Sequence, residues 1–224
     1  MDRRGLDKEQ GREALYLQTN RDPALGTEKL SHLSANEYVR CGHISAEKFA
    51  RYFTFSFVRN PWTRLLSEYR YRNYFRHFSF RDFVLNKLPK PNWDDKYRHV
   101  MPQYDMLHDA EGKLLVDFVG RYETLQQDFE TVCQHLKIGD AVLSHRNPSD
   151  KRSRNLKRRV RNTLYRNGEN DLRTLGDYYD SETRDAVAAY YRRDIETFGY
   201  AYPDYWHPCA MQSQTPELTT ATAT

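Results

Sequence analysis

The sequence predicts an α/β fold with a central parallel sheet, and three observations predict it. An aromatic and β-branched run at residues 53–58, FTFSFV, leads straight into a segment that carries helix-start signals. A second apolar run at 114–119, LLVDFV, is likewise followed by an amphipathic pattern. Successive strand-then-helix units need crossover connections, and crossovers generate parallel sheets.

The length of 224 residues suits one domain rather than two. Its expected limits are a polar N-terminal segment over 1–31, a folded domain over 32–204 and a disordered tail over 205–224, where the low-complexity MQSQTPELTTATAT lies. Hydrophobic residues make up 38% and charged residues 29%, with a mean hydropathy of −0.93, a low apolar share for a self-sufficient core.

Each element has its own local signal. Ser34, with Glu37 three residues on, forms a capping box at the head of the helix-like stretch SANEYVRCGHISAEKFARYF. In the strand over 53–58, Phe53, Phe55 and Phe57 alternate and so share one face. Arg59 ends that strand, Asn60 is an N-cap, and Pro61 suits a first helical turn, predicting a helix to about Tyr74. Trp62, Leu65, Leu66 and Tyr69 form its buried stripe, expected to pack on the sheet, while Arg64, Ser67 and Tyr71 face away. Gly120-Arg121 is expected to break the second strand, before a helix with Leu125, Phe129, Val132 and Leu136 inward. A last helix is expected over 181–198, with Val187, Tyr190, Tyr191, Ile195 and Phe198 inward and Gly199 as its C-cap.

Composition excludes several function classes. Cys41, Cys133 and Cys209 show no CxxC spacing and read as reduced thiols. No window approaches eighteen consecutive apolar residues, so no membrane span is expected and a cytoplasmic location is, or a Golgi lumen if an anchor precedes Met1. The formal charge of +4 favours anionic ligands only modestly. Residues 146–166 hold nine Lys or Arg and one acid, Asp150, but show no nucleic-acid motif.

The segment at 53–72, FTFSFVRNPWTRLLSEYRYR, has the chemistry of a phosphate site. Arg59 leaves the carboxyl end of a strand, where open α/β sheets place ligands, and a guanidinium grips phosphate bidentately. The helix opened by Asn60-Pro61 turns its positive end the same way, and Ser67, off the buried stripe, is free to donate a hydroxyl. Arg64, four residues before Glu68, reads as a surface ion pair.

This segment resembles the 3′-phosphate-binding motif of the second sulfotransferase family, the carbohydrate-type enzymes that use PAPS (3′-phosphoadenosine 5′-phosphosulfate). DFVGRYETLQQDFETVC at 117–133 and YYDSETRDAVAAYYRRDIETFGY at 178–200 resemble later blocks of the same family. The resemblance implies a P-loop-like three-layer sandwich and sulfuryl transfer from PAPS to a hydroxyl of an acceptor, a carbohydrate above all. No metal is implied. Arg59 and Ser67 would hold the donor's 3′-phosphate, and Lys151, in the basic stretch, would reach over the nucleotide. For that stretch a solvated face or a track for acidic polysaccharide stays open.

The family's N-terminal strand and PKTGGTS-type loop, which cradle the 5′-phosphosulfate, have no counterpart here. Gly26-Thr27-Glu28-Lys29 comes nearest, without a preceding strand. A base must take the acceptor's proton, and because uronyl sulfotransferases of similar type place a histidine upstream of the strand that Arg59 ends, the resemblance points to His32, then His43. An inactive nucleotide-binding remnant and, more remotely, a nucleic-acid-binding protein are the rival readings.

Overall fold

The computed structural model describes residues 20, 22, 24–139, 143 and 175–203. Lys151, the basic stretch at 146–166, Cys209, the tail at 205–224 and most of the segment at 1–31 lie outside the described residues. The helices are α1 (Ala35–Arg40), α2 (Ala46–Arg51), α3 (Pro61–Tyr71), α4 (Phe80–Asn86), α5 (Asp95–Val100), α6 (Gln103–Leu107), α7 (Leu125–His135), α8 (Ser181–Tyr190) and α9 (Arg192–Phe198). Two strands, β1 (Phe55–Val58) and β2 (Phe118–Arg121), run parallel from Phe55↔Phe118 to Val58↔Arg121.

The parallel α/β expectation therefore stands, as a small two-stranded sheet among many helices. The second strand sits further along than LLVDFV, and Gly120 lies inside it rather than ending it. A Cβ on Gly120 would come within 2.6 Å of the Phe57 ring and 3.0 Å of Asp128 Cβ. The missing side chain lets the Phe57 ring lie across β2. At the lower end of the pair, Thr54 donates its N–H (2.8 Å) and hydroxyl (2.9 Å) to the Asp117 carboxylate, and its carbonyl accepts from Asp117 N–H at 2.9 Å.

Two expected helices are each split in two. Ser34 and Glu37 do form the capping box, but Gly42, in the left-handed region at φ 72°, separates α1 from α2, and Ser45 caps the second. The C-terminal helix breaks at Tyr191, whose buried ring anchors its hydroxyl on the Val100 carbonyl at 2.6 Å. Tyr190, expected inward, is exposed, while Gly199 closes α9 in the left-handed region as expected. α3 ends at Tyr71, three residues short of Tyr74, because Asn73 turns left-handed at φ 56°.

The α3 stripe of Trp62, Leu65, Leu66 and Tyr69 is buried as expected, against different neighbours. It packs on Phe80, Phe83 and Val84 of α4, Val187 of α8, Tyr191 and the 175–179 turn, so the main core is made by helices. Val58 of β1 belongs to a separate small cluster with Leu107, Phe198 and Tyr200. Two four-residue strands offer too little face to cover an eleven-residue helix. On α7, Val132 and Cys133 are buried, and Leu136, expected inward, is exposed. Cys41 and Cys133 are buried free thiols.

Candidate functional site

The tip of β1 is held from three sides. Thr54 bonds towards β2, so by strand alternation the amides of Phe55, Phe57 and Arg59 face the opposite edge. There the Gln103 side-chain amide takes the place of a neighbouring strand: its Oε1 accepts from Arg59 N–H at 2.9 Å and its Nε2 donates to the Arg59 carbonyl at 2.8 Å. Gln103 is fixed in turn because its own N–H and that of Tyr104, opening α6, donate to the buried Asp194 carboxylate of α9 at 2.9 and 2.7 Å. Next along the chain, Asn60 donates its N–H to Glu123 at 2.8 Å and its amide to the Ala201 carbonyl at 2.8 Å, and its Oδ1 caps Trp62 N–H.

The Arg59 side chain is aimed by this frame. Its Nε donates to Thr63 Oγ1 at 3.2 Å, and the guanidinium lies over the Tyr122 ring, 4.4 Å from its centre. Neither terminal nitrogen meets a protein acceptor among the described residues, and no carboxylate forms an ion pair with it. Burial lowers its pKa, and Tyr122 and Glu123 act in the opposite sense; an arginine so placed stays charged. Ser67 lies one turn beyond Thr63 on the same helix face, half-buried, and its hydroxyl has no hydrogen-bond partner among the described residues. Arg59 thus carries an open cationic fork just before the N-terminus of α3, a group suited to an anion, and Ser67, the seventh residue of that helix, carries an open hydroxyl.

Arg64 does not pair with Glu68. Its Nη2 donates to the His99 carbonyl at 2.9 Å, and its Nη1 is buried with no hydrogen-bond partner among the described residues, beside a cavity of about 420 Å³. Phe55, Phe57, Gln103 and Leu107 line that cavity, which follows the free edge of β1 and includes neither Arg59, Ser67 nor His32. Glu68 is claimed by Arg72 Nε at 2.7 Å and His99 Nδ1 at 2.9 Å; these bonds overcome the opposing effect of burial and hold its carboxyl low.

His32 joins Asp95 and His99 rather than Arg59 and Ser67. Burial lowers its pKa, with Asp95 raising it and His99, Lys29 and Arg98 lowering it. The Nε2 of His43 is 2.8 Å from Asn20 Oδ1. Gly26 is a packing glycine: its Cβ would lie 2.8 Å from Leu33 and 3.0 Å from Cys41 Sγ. That close packing, not a phosphate loop, explains the residue.

Sequence reasoning missed Gln103, Tyr122 and Glu123. For the last two a signal existed, because a parallel pair brings both carboxyl ends together and the residues after β2 must flank Arg59. Gln103 had none, since its partners are 44 and 91 residues away.

Fold and site together define an α/β domain with an arginine at a strand tip whose terminal nitrogens meet no protein acceptor among the described residues. A sequence model of the sulfotransferase family matches residues 15–201. The chain belongs to the sulfotransferase family. An uncharacterized protein of Archaeoglobus fulgidus is 38% identical over 100 residues, covering 43% of this chain and 75% of that protein. No solved structure matches the chain. Among the described residues no helix is long and apolar enough to cross a membrane.

Proposed function

We propose that this protein binds PAPS and transfers its sulfuryl group to a hydroxyl, on a carbohydrate acceptor. Arg59 and Ser67 hold the donor's 3′-phosphate, and the unfilled guanidinium fork of Arg59 is the observation that carries the reading. Lys151, outside the described residues, belongs to the same proposal as a contact to the nucleotide. In the transfer, the acceptor oxygen forms a bond to sulfur as the bond from sulfur to the 5′-phosphate oxygen breaks. The products are a sulfate ester and adenosine 3′,5′-bisphosphate, and the hydroxyl proton passes to a base.

The finer architecture of the proposal is a P-loop-like three-layer sandwich. The amides of Phe55 and Phe57 face away from β2 along an apolar cavity, which supports pairing with a further parallel strand and its phosphate-cradling loop at that edge. One observation favours a second reading, a nucleotide-binding protein without transfer: the described residues contain no such loop, and Gly26 is accounted for by packing. Equilibrium binding of adenosine 3′,5′-bisphosphate and transfer of labelled sulfate from PAPS to a panel of glycans, measured separately, test both. Binding with transfer supports the first reading, binding alone the second, and absence of binding overturns both.

A further inference from the structure

We infer that His32, Asp95 and His99 form a binding site for a divalent transition-metal ion, zinc by the chemistry of the donors. One donor atom from each residue lies within 4.8 Å of the other two. His32 Nδ1 is 2.7 Å and His99 Nε2 is 3.8 Å from Asp95 Oδ1. Metal bonds of the usual length in a tetrahedron place donors about 3.3 Å apart, between those two separations. Small side-chain rotations would bring the set into register. Two imidazoles and a carboxylate are an ordinary zinc set, with a fourth position left to water.

A second observation points the same way. His32 Nδ1 and Asp95 Oδ1 are both buried, and neither makes a hydrogen bond among the described residues. Their 2.7 Å contact runs out of line with the ring N–H, so the closeness of the two atoms does not satisfy either. Buried donors and acceptors normally find partners, and an ion between these atoms would supply one to both.

The surroundings hold the ligands as a metal site requires. Asp95 and His99 are four residues apart on α5 and project from one face. His99 Nδ1 is bonded to Glu68 Oε2 at 2.9 Å, which directs the lone pair of Nε2 inward, the carboxylate–histidine arrangement that commonly backs a metal. Asp95 Oδ2 accepts from Arg72 Nη2 at 2.7 Å, leaving Oδ1 for the ion. The turn that carries His32 is tied down by Arg98 Nε donating to the His32 carbonyl at 2.9 Å.

Nearby positive charges do not forbid a cation. Arg72 is balanced by Glu68 and Arg98 by Glu37. Lys29, 3.7 Å from Asp95 Oδ1, has a half-exposed side chain that is free to swing into water. An ion here would join the 30–32 turn to α5 and, through Glu68, to the helix that carries Ser67. This duty replaces the proton-acceptor role expected of His32 from the resemblance, and it departs from the expectation of no metal. It does not depend on the proposed transfer activity.

The test uses the full chain, purified without chelator and dialysed, with metal content measured by mass spectrometry. Stoichiometric zinc is expected, recoverable after chelation, and replacement by Co²⁺ should give the visible bands of a four-coordinate site. His32→Ala and His99→Ala should each abolish binding, and His43→Ala should retain it. If wild type holds no zinc and takes up none on titration, the cluster is a plain ionic network and the inference fails. It also fails if both variants bind as wild type does. Should the variants not fold, wild type decides alone: a Tm that chelation leaves unmoved overturns the inference.

Discussion

Replacing Arg59 by alanine tests the donor site most directly. The side chain's own protein contacts are few: one bond from Nε to Thr63 and the stack on Tyr122, the latter contributing about 0.5–1 kcal/mol. The bonds that place the strand tip run from the Arg59 backbone to Gln103 and survive the substitution. The fold should therefore hold while the fork disappears. A charge-assisted phosphate contact contributes about 1.5–3 kcal/mol, which is about 10- to 150-fold in affinity. Calorimetric titration with adenosine 3′,5′-bisphosphate and, in parallel, adenosine 5′-phosphate isolates the contact, because the second nucleotide lacks the 3′-phosphate. Arg59→Ala should weaken the bisphosphate by that factor and leave the monophosphate unchanged. Arg59→Lys, which keeps the charge without the planar fork, should fall between. An unchanged bisphosphate affinity, or an equal loss for both nucleotides, would refute the assignment.

Three further outcomes are expected. Ser67→Ala should weaken bisphosphate binding by about 0.5–1.5 kcal/mol, with no change in Tm because the hydroxyl bonds nothing among the described residues; a Tm loss without an affinity loss would make it structural. Arg98→Leu should destabilise the fold by about 3–5 kcal/mol in urea unfolding, since it leaves the buried Glu37 carboxylate, which also closes the α1 capping box, with only the half-exposed Arg40 at 3.5 Å; a loss below about 1 kcal/mol would contradict this. The backbone N–H of Thr183, then its hydroxyl and Arg81, hold the Asp180 carboxyl below its ordinary pKa, so its stabilising effect is complete above that ordinary value and disappears as pH falls through the lowered one. Asp180→Asn keeps a good cap without the charge, so the wild-type advantage over it should shrink on acidification, and an advantage independent of pH would rule the charge out.

Much of the site was legible because its signals are local. Phe53 to Val58 announce a strand by composition, Asn60-Pro61 a helix start by cap chemistry, and Ser67 a free hydroxyl by its place off the buried stripe. Local rules failed where distant residues compete for a group. Arg64 and Glu68 have the spacing of an ion pair, yet His99 and Arg72 reach Glu68, and the His99 carbonyl takes Arg64. Tyr190 and Tyr191 read alike along the chain, and only the helix break between α8 and α9 decides which ring is buried.

By itself the sequence determined that β1 would be a strand, that a helix would begin at Pro61, and that Arg59 would stand between them. Those properties depend on backbone propensity and caps within a few residues. Tertiary structure alone decided that Gln103 would pair with the Arg59 backbone, that the α3 stripe would face helices instead of the sheet, and that His32 would meet Asp95 and His99. Such contacts join residues dozens of positions apart, and their geometry is set by how whole elements pack, which no short stretch of sequence encodes.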